Sequence, residues 1–469
     1  MRAFRRLGGV VRPTLQTPVN RRSIDRTLAS LRQEKRIEYP ETQISTLPSG
    51  FRVATEASDL ATATVGVWID AGSRYENAKN NGVAHYLEHM AFKGTKKRSQ
   101  WELELEVENI GAHLNAYTSR EQTVYYAKCF AGDVEPAVEM LSDLLLHSVY
   151  GKDEIERERG VILREMEEVE QNMQEVVFDL HHMGAYKGCS LARTILGPEE
   201  NIKKMTRDDL VAYVKQYYKG PRMLLAGAGG VEHGEMIRLA QKYFGVVDHG
   251  ADDILDYEPG KFVESHERFE QPDMDLVYGC ISVEGTNWTH PDSITMQIAN
   301  TMLGQFDRTM GTGLSASSRL AQTISHNDGV QSFLSFTTNY KDTGLAGVYF
   351  VSEPTGLRTI AEAVCTEWRN LCDNVNEADL ERAKRYLYTN MVSMLDGSTP
   401  ICEDIGRQIV CYGRRLSIGE IEARINAVNV NTIRELFRNY FVNKPVSSTV
   451  IGVTKDWPKQ EEIKAMLTY

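Results

Sequence analysis

The sequence predicts an α+β protein made of two structurally similar α/β domains, each an antiparallel-rich sheet with helices packed on it. Three observations carry this expectation. A chain of 469 residues is long for one core, so two domains of about 200 residues are expected. Short runs rich in β-branched and aromatic residues alternate with segments of helical apolar period. The order strand, glycine break, helix that opens the body also returns weakly in the second half. The expected boundaries are a leader over 1–40, a first domain over 41–256, a polar linker over 257–272 and a second domain over 273–469.

The leader stands apart by composition. Arg2, Arg5, Arg6, Arg12, Arg21 and Arg22 all precede the first acidic residue, Asp25. Arginine-rich, acid-free and hydroxyl-bearing is the pattern of a mitochondrial transit peptide. In the first domain, Phe51 to Glu56 and Thr62 to Ile69 read as strands, and Asp70 to Ser73 breaks the second. Polar Glu76 to Asn81 then leads into a helix over Gly82 to Thr95. Trp101 to Ile110 is helical and stops at Gly111. His113 to Thr118 and Thr123 to Phe130 read as neighbouring strands, and Val134 to Ser148 as an amphipathic helix. A charged helix follows from Asp153 to about Gln171. Arg222 to Val231 is short and glycine-rich, a buried strand; no apolar run reaches the roughly 18 residues of a membrane span.

In the second half, Leu276 to Glu284, then Gly285 and Asn287, then a helix over Asp292 to Leu303 parallel the opening pattern. Met296, Met302 and Met310 read as packing residues, and Gly311 to Leu314 as a plain loop. Apolar residues at 42% and charged ones at 25% are ordinary soluble-globular usage. The 53 basic against 65 acidic residues leave a formal charge of −12, which argues against nucleic acid and suits a cationic ligand. Seven cysteines without Cys-x-x-Cys spacing indicate reduced, buried thiols, neither a disulfide framework nor a thiolate metal site.

Chemistry concentrates in GVAHYLEHMAFKGT, residues 82–95. On one helix at 100° per residue, His85, Glu88, His89 and Phe92 share a sector roughly 100° wide, while Val83, Ala84, Leu87, Met90 and Ala91 face the other way. Two imidazoles at i and i+4 can bind one Zn²⁺, with the carboxylate between them placed to take a proton from water. This is the inverted His-x-x-Glu-His motif, which makes His85 and His89 candidate ligands and Glu88 the candidate general base. A catalytic zinc needs a third protein ligand. In the helix after Asp153, Glu158 and Glu165 lie seven apart on one face, with Glu167, Glu168 and Glu170 as rivals that spacing alone does not separate. His113 is left out of the site.

The stretches HYLEHMAFKGT, NAYTSREQTVYYAK, ERGVILREMEE, DTGLAGVYFVSEP and CEDIGRQIVCYGRR resemble the pitrilysin and insulin-degrading family of zinc peptidases, in its mitochondrial presequence-processing branch. The likeness runs from about Thr42 to near the C-terminus. It implies the duplicated pitrilysin-like fold and one Zn²⁺ per chain. The family's third ligand lies 76 positions after the second histidine, which selects Glu165, and Glu158 then becomes a carboxylate that orients the site. By the same positional match, Asn115, Ala116 and Tyr117 belong to an edge strand that holds the substrate backbone, and Phe92 touches the residue after the cut. Glu175 and Asp179 match acidic residues that read an upstream arginine, and Arg319 an arginine that helps hold substrate. On an unbroken helix, Glu175 and Asp179 would lie about 15 and 21 Å along the axis from Glu165, so the helix must bend after about Gln171 or those carboxylates read more distant arginines. Single-chain members enclose substrate with four such domains; this chain supplies two. The resemblance thus implies a heterodimer with a catalytically degenerate α-type chain, acting on arginine-rich presequences in the mitochondrial matrix. The alternative it carries is core subunit 1 of the cytochrome bc1 complex, structural or bifunctional.

Overall fold

The computed structural model describes residues 40–250, 257–311, 316 and 318–469. The expected leader and most of the Gly311 to Leu314 loop lie outside the described residues. No helix among the described residues is long and apolar enough to cross a membrane.

The first half carries β1 (Gln43–Thr46), β2 (Arg52–Ala57), β3 (Thr62–Ile69), β4 (His113–Thr118), β5 (Thr123–Phe130) and β6 (Met223–Gly229), in a six-stranded sheet of order β1-β2-β6-β3-β5-β4. The second carries β7 (Ser265–Glu270), β8 (Val277–Glu284), β9 (Gln305–Asp307), β10 (Val330–Asn339), β11 (Gly344–Ser352) and β12 (Ser447–Gly452), in the order β7-β12-β8-β11-β10-β9. Five strands superimpose in pattern: β2-β6-β3-β5-β4 corresponds to β7-β12-β8-β11-β10. In each set only the first pair is parallel, β2 with β6 and β7 with β12. The internal repeat read from the sequence is therefore two copies of one sheet. The stretch expected to be a linker contains β7, a polar strand whose residues are half-buried or exposed, which hides its pattern.

Helices of the first half are α1 (Val83–Ala91), α2 (Gln100–Asn109), α3 (Val134–Leu146), α4 (Lys152–Val169), α5 (Met173–Ala185), α6 (Glu199–Lys204), α7 (Arg207–Tyr217) and α8 (His233–Phe244). Those of the second are α9 (Ser293–Leu303), α10 (Arg319–Ser325), α11 (Leu357–Asn370), α12 (Glu377–Ser393), α13 (Ser398–Tyr412), α14 (Ile418–Ala427), α15 (Val430–Tyr440) and α16 (Gln460–Met466). One face of the first sheet, with Val53, Val65, Val67 and Leu225, packs on α1, α3 and α8 around a core that includes Leu87, Leu141 and Leu239. Met296 and Met302 are buried as expected; Met310 is 73% exposed, because it ends the single helical turn Arg308–Met310 that follows β9, outside the core.

The halves exchange helices. The other face of the first sheet, Trp68, Val124, Leu224 and Ala226, is covered by Cys402, Ile405 and Ile409 of α13, which belongs to the second half. Gly406 is required there, since a Cβ would sit 2.1 Å from the Trp68 ring. Reciprocally, α5 of the first half lies on β12, β8 and β7, with Val177, Ala185 and Tyr186 packed against Cys280, Tyr349 and Ile451. Full burial of Ile405 and Ile409 alone stabilises this docking by about 3–6 kcal/mol. Polar contacts fix the register of the exchange. His181 Nε2 meets the Ser282 hydroxyl at 2.7 Å and Nδ1 the Thr449 hydroxyl at 3.2 Å, while Thr64 meets the Ser398 hydroxyl at 2.9 Å. A charged network closes the seam: Arg74, whose side chain is fully buried, donates to Glu121 at 2.6 Å and to Asp342 at 2.7 Å, and Lys341 pairs with Asp70.

Candidate metal centre

The motif helix α1 starts where the sequence says it should, immediately after Gly82. That residue takes φ of 102°, a left-handed conformation that suits glycine, and a Cβ there would meet the Leu196 carbonyl at 2.6 Å. No side chain of the N-cap satisfies the first turn. Glu76 does so from upstream: its carboxylate accepts the N–H groups of Gly82 and Ala84, each at 2.8 Å, and the Asn81 amide at 2.7 Å. Complete burial pushes the Glu76 carboxyl up to about 7 against the pull of these donors. The helix ends at Ala91, short of the expected Thr95, and Phe92 caps it in a non-helical conformation. Burial follows the predicted faces, with Val83, Ala84, Leu87, Met90 and Ala91 in the core; Tyr86 is anchored through its hydroxyl on the Ile155 carbonyl of α4.

That anchor brings α4 alongside α1. Ile155, Glu158 and Ile162 turn inward on α4, and Glu165 lies on the same face two turns beyond Glu158. His89 Nε2 is 3.0 Å and His85 Nε2 is 3.6 Å from Glu165 Oε2. The donor atoms of His85, His89 and Glu165 all lie within 4.8 Å of one another. Zinc bonds of 2.0–2.1 Å in a tetrahedron put neighbouring donors about 3.3 Å apart, so the two measured edges bracket what one ion requires. Two further observations fit a metal. Glu88 Oε2 is buried without a hydrogen-bond partner among the described residues. Behind His89, Glu158 Oε2 lies 3.4 Å from Nδ1, and Lys93 holds the other Glu158 oxygen at 2.8 Å. The imidazoles of His85, first, and His89 hold Glu165 far below the usual carboxylate range. Burial pulls the His89 imidazole down, but hydrogen bonding to Glu165 and the neighbouring charges outweigh it, and the net shift is upward.

The remaining expected residues are placed as follows. Asn115, Ala116 and Tyr117 lie on β4, which among the described residues pairs only with β5 and so leaves one edge open, and β4 packs beside α1. Phe92 is half-buried, packed near Leu103 and Met140. The charged helix read as continuous to about Gln171 ends at Val169, and α5 begins at Met173, so of the two alternatives left open for Glu175 and Asp179 the chain takes the first, as a break. Glu175 is exposed and accepts the Asn172 amide at 2.7 Å. Asp179 is already engaged by Arg120 at 2.6 Å. Arg319 stands in the second half, paired with Glu367 at 2.8 Å, and is not part of the metal cluster among the described residues. Sequence reasoning missed Glu76, Lys93 and Arg120. Lys93 was findable, four residues after His89 on the same face, and Glu76 less so, because it caps across a loop.

The second sheet keeps an echo of the site. Gln297, Asn300 and Thr301 of α9 repeat the i, i+3, i+4 spacing of His85, Glu88 and His89, are half-exposed, and line an open cavity with Thr337, Thr338 and Asn339 of β10. They offer amides and hydroxyls where the first copy offers imidazoles and a carboxylate.

A doubled α/β sheet whose first copy gathers an inverted His-x-x-Glu-His helix and a distant glutamate is that of a metallopeptidase. The chain belongs to peptidase family M16: residues 52–199 match the profile of Insulinase (Peptidase family M16), and residues 204–387 that of the Peptidase M16 inactive domain. It is 51% identical over 435 residues to a mitochondrial-processing peptidase subunit beta of Caenorhabditis elegans, covering 93% of this chain and 95% of that one. It is 54% identical to the human protein of that name, over 92% of this chain and 89% of that one. It is also 44% identical to the cytochrome b-c1 complex subunit 1 of Mus musculus, over 91% and 89%. A chain of Complex III2 from Candida albicans shares the fold with a TM-score of 0.82 at 21% identity, covering 91% of this chain and 100% of that one.

Proposed function

We propose that this chain is the zinc-binding, catalytic subunit of a mitochondrial processing peptidase, cutting N-terminal targeting presequences from imported proteins in the matrix as a heterodimer with an α-type chain. The observation that carries the reading is the meeting of His85, His89 and Glu165 around one point, beside the unpaired buried oxygen of Glu88. Relatives named for this activity are about half identical over nearly the whole chain, which supports the substrate class.

In this reading His85, His89 and Glu165 hold the ion. Zinc, when bound, supplies a Lewis acid that polarises the scissile carbonyl and acidifies water beside it. Glu88 accepts the proton of the attacking water and returns it to the leaving amine. Glu158 accepts from Nδ1–H of His89, leaving Nε2 turned to the site, and Lys93 holds Glu158 in place. The open edge of β4, at Asn115, Ala116 and Tyr117, holds the substrate backbone extended through main-chain hydrogen bonds. Phe92 packs against the residue after the cut. Asp179 already serves Arg120, so Glu175, exposed on α5, is the better placed of the two to meet a substrate arginine. Arg319, held on Glu367 through Nε and 43% exposed, would add to substrate holding with the rest of its guanidinium.

A second reading, a core subunit of the cytochrome bc1 complex, is favoured by the likeness to the mouse subunit 1. A purely structural subunit has no use for the intact His85, Glu88, His89 and Glu165 set. The deciding experiment co-expresses the chain with an α-type partner, measures bound zinc and assays a presequence peptide with and without Glu88→Gln. The expected result is stoichiometric zinc in both proteins and turnover reduced by about 10²–10⁴ or more in the variant, the share of a general base. Wild type that binds no zinc would leave the core-subunit reading standing alone.

A further inference from the structure

Outside the metal centre, one cavity of about 170 Å³ lies against the same open strand edge. It is walled by Met391, Leu395 and Ile421 of the second half, with Tyr117 of β4 on one side and Glu403 of α13 on another. Its volume is well below the roughly 300 Å³ at which pockets for drug-sized ligands begin, and suits a single long side chain.

Strand alternation connects it to β4. Ala116 and Leu114 face the core that holds α1, whereas Tyr117 pairs with Val124, which faces α13. A peptide added to the β4 edge must therefore send alternate side chains to the two faces, and one of them emerges beside Tyr117. The charges at the mouth are uneven. Arg407 turns to Asp404 at 3.3 Å, and Asp404 also takes Arg415 at 3.0 Å and the Gln408 amide. Glu403, half-buried, makes no ion pair among the described residues. Its charge reaches Tyr117, whose phenol is pushed up to about 12 by burial first and by Glu403 next.

We infer that this cavity is an arginine-reading subsite built by the second half, in which Met391, Leu395 and Ile421 cover the methylene stem of a substrate arginine and Glu403 pairs with its guanidinium. The inference rests on the presequence reading and on β4 as the binding edge, and adds to Glu175 and Asp179 of α5 a separate reader beside Tyr117. An apolar side chain would fill the walls but strip water from the Glu403 carboxylate without compensation. A lysine or arginine satisfies both, and arginine matches the carboxylate with two parallel donors.

The test uses the zinc-loaded two-chain enzyme and presequence peptides in which each arginine in turn becomes citrulline, its neutral isostere. Wild type should show an arginine whose replacement raises KM about 10- to 100-fold with kcat unchanged, the effect of one charge-assisted hydrogen bond. Glu403→Gln should show that same rise on the all-arginine peptide and no further rise on that citrulline peptide. Met391→Trp, which fills the cavity, should reproduce the KM rise while leaving the melting temperature in place. Equal citrulline losses at every position in wild type and Glu403→Gln overturn the subsite, as does arginine sensitivity that disappears only in Glu175→Gln. A wild type that binds zinc but cleaves no presequence overturns the presequence reading itself.

Discussion

His89 has a carboxylate on each ring nitrogen, Glu165 at 3.0 Å on Nε2 and Glu158 at 3.4 Å on Nδ1. The second decides which tautomer the first will meet. Replacing Glu158 by alanine leaves all three donors in place but frees the ring and releases Lys93, so zinc affinity measured by chelator competition should fall about 10- to 100-fold. A variant that keeps wild-type affinity would show that packing alone orients His89. The histidine pair and Glu88 were readable from sequence because one helix fixes their mutual geometry. Glu165 was not, since Glu158, Glu165, Glu167, Glu168 and Glu170 crowd one charged helix. Only the family spacing, and then the docking of the Ile155–Ile162 face on α1, distinguishes it.

At the scale of elements, α5 is held by a pair of adjacent buried histidines. His181 has its pKa lowered to about 3 by burial, and burial likewise drives His182 far down, with Arg120 adding to it. Unfolded, each takes a proton near pH 6.5. Because the folded values lie lower, the unfolded state binds more protons below 6.5, so stability is whole above that pH and is lost as pH falls toward 3. For His181 the loss at pH 5 is about 2 kcal/mol. Buried Glu76, raised to about 7, gains stability as pH falls over the same window, so the loss is read as a difference: between pH 7 and pH 5 the slope for His181→Gln should depart from that of wild type by about 2 kcal/mol in denaturant titrations. An unchanged slope would mean that the His181 ring is hydrated. The break between α4 and α5 was foreseen only as one of two alternatives. No proline or glycine marks residues 170–172, and what ends α4 is the demand that the next helix lie on the other sheet.

For the whole molecule, the seam between the halves matters as much as either sheet. Arg74 offsets Glu121 where little water reaches, whereas Asp342 is a quarter exposed and also accepts the Gly260 N–H, so Arg74→Met strands one buried carboxylate and should cost about 3–5 kcal/mol in denaturant unfolding. A loss under 1 kcal/mol would show that Lys341 takes over. Duplication was legible from the strand, glycine, helix order, yet the exchange of α5 and α13 was not: an apolar helical face announces that it will be covered, without saying by whose sheet. Because α13 roofs Trp68 and α5 roofs Cys280, neither copy is self-sufficient. Severing the chain between them would uncover an oily slab on both pieces. The second half thus serves as an obligatory lid, and a lesion such as Gly406→Ala, on a helix of that half, would be felt at the scissors.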